Sequence, residues 1–355
     1  MDKVIVASPE ARVKLFTEHW YKQWKTISDS HQKNDKKDFD FEVWREMVNE
    51  VDKSHFLENC GSETQGSFTH SQPRIHKDFT EILDVKIKED EADVITKTEY
   101  ETKYSDSFLF FKLKFIDNNW LIQSMDVHAN HPHTLMVSDE HQQEIFSKCS
   151  ESAPFVKVID QLDLNENILF QHGRKVETKR FGEGVTEMNT VGNLNLQTGV
   201  MSILDIGYDF KDFEPLHIKV KPGQYKVESL TAFGKSIGVR VLFSEEKAVK
   251  WYAANTLNGY GIYTVDAGNL AIFDAGDLTK LTFAQKEYEF NKWSRVGGTQ
   301  LITLENKNDC VITDGDGDGS YPALWGVNEN EEIVSLYIDF IILVEENENE
   351  VIYSV

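Results

Sequence analysis

Cysteine is scarce in this chain: Cys60, Cys149 and Cys310 are the three among 355 residues, odd in number and far apart. That rules against a disulfide framework and against a closely spaced thiolate zinc site, and it suits a reducing compartment. Apolar runs are short as well, none nearing the roughly 20 residues that span a bilayer as a helix. The opening Met1-Asp2-Lys3-Val4-Ile5-Val6-Ala7 passes straight into a helix start, too short for the apolar region of a secretory signal, so the expected location is the cytoplasm. Walker loops, Rossmann fingerprints, His-Glu-x-x-His helices, nucleophile elbows and paired Cys motifs are all lacking, which makes the common cofactor-dependent enzyme classes poor fits. Basic charge is in deficit too, with 37 Lys and Arg against 60 Asp and Glu, a net charge of −23. Such a field opposes nucleic acid and anionic membranes and favours a cationic protein partner, although the same acidity also serves plain solubility.

What is present is enough apolar and aromatic residue, 40% and 12%, to build packed cores, and 355 residues exceed what one core usually fills. Two domains are therefore expected. Ser8-Pro9-Glu10 reads as a helix start, a capping hydroxyl followed by Pro where no amide is missed. Val13, Phe16, Trp20, Trp24 and Ile27 follow at steps of three and four, which predicts an amphipathic helix to about Ser28, and Phe41, Trp44, Val48 and Val51 predict a second. From about Arg74 the period becomes two: Val85 and Ile87, then Val94 to Tyr104, then Phe111 to Phe115, then Trp120 and Ile122. These are antiparallel strands, joined by turns at Lys88-Glu89-Asp90-Glu91 and Asp117-Asn118-Asn119.

Helices followed by a meander that closes on Phe115-Ile116-Asp117-Asn118-Asn119-Trp120-Leu121-Ile122 resemble the nuclear transport factor 2-like fold. The resemblance covers most of residues 1–137 and implies a cone of helices on a curved sheet. Its members include isomerases, dehydratases, transport adaptors and immunity proteins of bacterial toxin systems, so it does not select one activity. For the isomerase-like members it implies an acid or His inside the cone, for which Asp126, His128 and Tyr100 are the candidates here. Nothing in their spacing separates them from ordinary strand residues. His128-Ala129-Asn130-His131-Pro132-His133 offers imidazoles for a metal, but it also suits a junction between domains.

Residues 138–152 are expected to link the domains and to carry a short helix over Glu140 to Phe146. Beyond them, short β segments punctuated by Gly predict a largely antiparallel domain over 153–355: Ser202 to Ile206, Leu216 to Val220, Gln224 to Val227, Gly238 to Phe243, Gly261 to Val265 and Ile333 to Ile338. The whole is thus expected to be α+β. Pro222-Gly223 suggests a turn with Gly at positive φ, and Trp251 a core aromatic.

Thr198 to Asp205, Val220 to Val227, Val249 to Ala253, Val265-Asp266-Ala267-Gly268, Phe273-Asp274-Ala275, Gly317-Asp318-Gly319-Ser320-Tyr321-Pro322, Trp325-Gly326 and Ile338-Asp339-Phe340 occur in an order that resembles the bacterial domain of unknown function 4241. An Asp-Pro turn belongs where this chain has Asp205-Ile206. The resemblance implies a signature of Asp266, Gly268, Asp274, Gly317, Asp318, Gly319, Tyr321, Pro322, Trp325, Gly326 and Asp339, and no chemistry. By themselves, Asp266 and Asp274 suit Asx-type turns. Asp314, Asp316 and Asp318 alternate with glycine like the first half of a Ca²⁺ loop of the EF-hand kind, yet the twelfth position is Trp325, which cannot ligate. A tight turn is the competing reading.

The function expected from these residues is binding without catalysis: an immunity protein that neutralises a basic bacterial toxin by protein–protein contact. An isomerase- or dehydratase-like enzyme and a Ca²⁺-dependent or carbohydrate-binding module are the alternatives. Residues 1–137 hold 18 basic and 25 acidic side chains, a net of −7, which leaves −16 for the rest.

Overall fold

The computed structural model describes residues 5–33, 39–69, 71–78, 80–99, 107–156, 170–208, 214–266, 268–304, 306–347 and 350–353. The chain is α+β, with few helices and mostly antiparallel strands. It divides into two compact units, Met1–Thr134 and Leu135–Val355.

In the first unit, α1 (Pro9–Lys33) runs past the expected end at Ser28. Its start is capped by the Ser8 hydroxyl, which accepts from the Ala11 amide at 3.2 Å. Helix α2 (Phe41–His55) is capped by Asp40, whose carboxylate accepts from the amides of Glu42 and Val43. The stripes Val13, Phe16, Trp20 and Trp44, Val48, Val51 bury against one face of an antiparallel meander. Its strands are β1 (Thr80–Lys88), β2 (Glu91–Thr98), β3 (Ser107–Ile116) and β4 (Asn119–His128). That face contributes Val94, Leu109, Phe111, Leu113, Trp120 and Ile122. Phe16, fully buried, meets Phe56 and Phe111 edge-on at 5.5 and 5.8 Å; loss of its ring alone is worth about 3–5 kcal/mol. The turn between β3 and β4 puts Asp117 and Asn118 at φ of 51° and 60°, the left-handed pair that a two-residue hairpin requires.

The second unit holds α3 (Asp139–Ser147), β5 (Lys175–Thr178), β6 (Gly182–Val185), β7 (Glu187–Leu196), β8 (Met201–Asp205), β9 (Gly223–Ala232) and β10 (Lys235–Leu242). It continues with β11 (Lys250–Ala253), β12 (Ile262–Val265), β13 (Leu270–Asp274), α4 (Ala275–Leu278), α5 (Phe283–Trp293), β14 (Thr299–Thr303), β15 (Asp309–Thr313), β16 (Gly319–Val327), β17 (Ile333–Asp339), β18 (Val344–Asn347) and β19 (Glu350–Tyr353). A seven-stranded sheet runs β11-β16-β17-β10-β9-β7, with β12 also paired to β16; a four-stranded sheet runs β14-β15-β13-β8. Strand β13 is buried at every position, and its period of two explains why. Leu270 and Ile272 join Met201, Ile203, Val239 and Trp325 in the core between the sheets. Ala271 and Phe273 join Ile145, Leu281, Cys310 and Ile312, against which Phe146 of α3 and Phe290 of α5 pack. The four-stranded sheet is therefore a middle layer.

Four expectations are corrected. Residues 138–152 carry the expected short helix as α3 but are not a linker: Ile145 and Cys149 are buried in the second unit's core, as are Met136 and Val137 just before them. Leu216 to Val220 makes isolated bridges, Leu216 to Thr256 and Ile218 to Ser150, in place of a regular ladder. Positive φ falls not at Gly223, which opens β9, but at Gly199 (φ 74°), where a Cβ would lie 2.0 Å from the Val220 carbonyl oxygen. Helix α5 interrupts the segment read as β.

Candidate functional site

The register of β3 and β4 decides where Asp126 and His128 point. Phe110 pairs with Asp126 and Phe108 with His128, while Leu109 and Phe111 point at the helices. Asp126 and His128 thus lie on the opposite face, away from α1 and α2, because successive strand residues alternate sides. His128 is buried there beside Phe110, at 6.3 Å between rings, and its Nε2 has no hydrogen-bond partner among the described residues. Burial, with the nearby His133 second, holds its pKa down at about 4, so the ring is neutral. His133 lies 5.3 Å from Phe110 and His131 5.6 Å from Phe108, ring to ring. Tyr100 lies outside the described residues.

In the second unit the signature carboxylates fasten loops to strands. Asp274, fully buried at the end of β13, caps α4 through the Gly276 amide and also accepts from the Thr198 amide, the Thr198 hydroxyl and the Gly199 amide, at 2.7–3.2 Å. The Gly276 bond, two residues on, is an Asx turn. Asp205 accepts from the amides of Gly207 and Asp266, both at 2.7 Å, which fixes the loop where an Asp-Pro turn was expected. Asp339 accepts from the Tyr337 hydroxyl and the Ile341 amide. Trp325 is fully buried, and a Cβ on the adjacent Gly326 would lie 2.4 Å from the Ser335 hydroxyl oxygen, so β16 and β17 approach closely there. Gly268 borders Ile206 and Phe290.

The aspartate–glycine loop does not converge its carboxylates. Gly317 donates its amide to the Asp314 carbonyl in a tight turn, and Gly315 (φ 52°) sits where a Cβ would strike the Phe340 ring at 2.4 Å. Asp316 is taken by Arg180, and Lys235 Nζ stands 2.9 Å from its Oδ1, an ion pair by distance without hydrogen-bond direction. Asp318 is exposed. Tyr321 turns back to donate to the Gly317 carbonyl at 2.7 Å and meets Phe340 edge-on. Among the described residues no group of three or more His, Cys, Asp or Glu is placed to hold a metal ion.

The exposed chemistry lies one strand away. Strand β12 pairs with the first half of β16, Ile262 opposite Pro322, Thr264 opposite Ser320 and Val265 opposite Gly319. Tyr263 and Val265 point inward, so Ile262, Thr264 and Asp266 form an outward row, with Ser320 and Asp318 beside it. Just before β12, Tyr260 is 75% exposed, and Ile262 is 61% exposed. The loop that carries Tyr260 is held by Glu214, which accepts from the Thr256 hydroxyl and the Asn258 side chain at 2.7 Å and from the Asn258 amide at 3.3 Å; the Thr256 hydroxyl in turn accepts from the Gly259 amide. Tyr208 belongs to the same neighbourhood: burial and then Asp266, Asp205 and Asp318 push its hydroxyl pKa up. Sequence reasoning singled out Asp266, Asp318 and Pro322 but missed Tyr260, Ile262 and Glu214. The signal was the turn-forming Asn258-Gly259-Tyr260-Gly261, which raises an aromatic on a tight loop.

Comparison with known proteins finds no matching family model, no similar curated protein and no similar solved structure.

Proposed function

We propose that this chain is a non-catalytic binding protein that captures a basic protein partner, as an immunity protein does with a toxin, and that the Tyr260–Asp266 row is its contact surface. The supporting observation is the exposed Tyr260 and Ile262 on a loop already fastened by Glu214. A preordered loop loses little entropy on docking, and an exposed Tyr next to an aliphatic residue is the usual anchor of an interface centre. Asp266 and Asp318 at the far end of the row supply the complement to Lys or Arg, within a chain of net charge −23. The nuclear transport factor 2-like reading of the first unit, supported by its helices on a meander, and the resemblance of the second unit's sequence to the domain of unknown function 4241 both stay part of this proposal. The isomerase-like alternative is disfavoured because Asp126 and His128 face away from the helices. A Ca²⁺ role for Asp314, Asp316 and Asp318 is disfavoured because Arg180 and Lys235 already occupy Asp316.

The test is parallel affinity capture from the source cells with the native chain and with a Tyr260→Ala, Ile262→Ser variant. A basic protein retained by the native chain and lost with the variant is expected. Equal retention by both, or a retained partner that is itself acidic, overturns the reading.

A further inference from the structure

Strand β12 pairs with the first half of β16, and among the described residues no strand lies along its other edge. The direction of its backbone groups follows from one hydrogen bond and the register. The Ala323 amide donates to the Gly261 carbonyl at 2.8 Å, one step before Ile262 faces Pro322. Antiparallel ladders alternate bonded and non-bonded pairs, so Tyr263 and Val265 turn their amides and carbonyls to β16, while Ile262, Thr264 and Asp266 turn theirs away. Pro322, with no amide to give, suits the non-bonded place opposite Ile262. The outward amide of Asp266 is answered by Asp205 at 2.7 Å. Ile262 and Thr264 have no such answer among the described residues, which leaves two amides and two carbonyls open on two exposed residues. Strand β11, on the second half of β16, differs: its Ala253 amide donates to the Val156 carbonyl at 3.0 Å, so its edge is covered there. Carried one step past Val265 and Gly319, the β12 ladder sets Asp266 opposite Asp318, both exposed. Like charges that face each other across a strand pair repel, and a cationic side chain laid beside them relieves the repulsion.

We infer, on the footing of the contact surface proposed above, that the partner docks by adding an extended segment to this edge. The segment bonds to the backbone of Ile262 and Thr264 and carries Lys or Arg at the level of Asp266. An open edge accepts many extended chains, and the two carboxylates select a basic one.

The probe is a capped, fluorescent hexapeptide of alternating Lys and Val, followed by anisotropy against the full chain at about 0.15 M salt, where the screening length is about 8 Å. One control is the same peptide with every backbone amide N-methylated, which keeps the side chains and charge but has no backbone donor. The other replaces Lys by Glu. The Lys–Val peptide is expected to bind saturably, half-saturating below about 1 mM, and both controls to leave the anisotropy unchanged. With the peptide bound, residue-resolved hydrogen exchange is expected to slow severalfold at Ile262 and Thr264 and to stay as it was at Tyr263 and Val265, whose amides already face β16. Thr264→Pro, which removes an amide that β16 does not use, is expected to abolish binding. Should that variant fail to fold, the exchange at Ile262 and Thr264 in the native chain decides. No saturable binding up to about 1 mM, equal binding of the N-methylated peptide, or protection that falls outside residues 260–266 overturns the inference. A basic protein captured from the source cells that is lost with Tyr260→Ala, Ile262→Ser but kept with Thr264→Pro overturns strand addition and leaves the contact surface standing. Peptide binding at the edge with no basic protein captured overturns the capture reading alone.

Discussion

The carboxylate of Asp274 accepts both the amide and the hydroxyl of Thr198, each at 2.7 Å, and so ties the turn before β8 to the end of β13. Two more amides, of Gly199 and Gly276, complete its coordination. Truncation strands several buried donors at once. Asp274→Ala is therefore expected to lower the unfolding free energy by about 3 kcal/mol or more, and Asp274→Asn by about 1–2 kcal/mol, since Asn keeps one acceptor oxygen but presents donors to donors. Urea unfolding measures both; an Ala variant within 1 kcal/mol of the native chain contradicts the account.

Asp277, three residues on, is the reverse case. It is 1% exposed, and among the described residues neither carboxylate oxygen has a hydrogen-bond partner. Burial first, then the neighbouring Asp274, raises its pKa to about 7. A carboxyl whose pKa is higher folded than unfolded binds its proton more tightly in the native state. Its contribution is full below about pH 4 and is lost as pH rises towards 7, at about 1.4 kcal/mol per pH unit. Asp277→Asn should remove that slope between pH 5 and 7 and leave the variant the more stable form at pH 8. A slope unchanged by the substitution refutes this.

The first unit has the opposite dependence. His128 and His55 are buried and neutral, with pKa values held down at about 4 and about 3, chiefly by burial. For His55 the next cause is the guanidinium of Arg12, whose Nη1 lies 3.1 Å from its Nδ1. A depressed pKa makes the contribution complete above about pH 6.5 and lost as the solution is acidified towards the folded value. His128→Phe, which fits the apolar neighbourhood of Phe110, is expected to reduce the loss of stability between pH 6.5 and 4.5 by about 1 kcal/mol per pH unit. Native and variant chains that lose stability in parallel over that range speak against it.

Strong periodicity was the legible part. The Trp and Phe stripes of α1 and α2, the meander of β1 to β4 and the Asp117-Asn118 turn follow from residue spacing alone. Helix α5 did not stand out, because its apolar residues Phe283, Phe290 and Trp293 lie among Lys and Glu, and only the Thr282–Gln285 capping box marks its start. The 138–152 segment looked like a linker for a related reason: a polar helix with one buried Ile145 has too little apolar residue to announce that it packs. At the sites, sequence shows which residues are acidic but not which are answered. Asp316 is paired by Arg180, 136 positions away, a relation that only the fold creates.

The proposed contact surface makes a kinetic claim. Asp266 and Asp318 stand at one end of the row and Tyr260 and Ile262 at the other, so encounter and residence have different owners. Long-range attraction acts before contact and weakens as the screening length shrinks from about 10 Å at 0.1 M salt to 3 Å at 1 M. With a basic protein captured in the test proposed above, the association rate is therefore expected to fall severalfold between about 0.05 and 0.5 M salt while dissociation changes little. Asp266→Asn with Asp318→Asn should slow association and flatten its salt dependence. Tyr260→Ala should instead speed dissociation, by about tenfold or more if the ring is a central anchor. Stopped-flow or surface-capture kinetics separate the two rates, and an association rate indifferent to salt removes the electrostatic half of the argument.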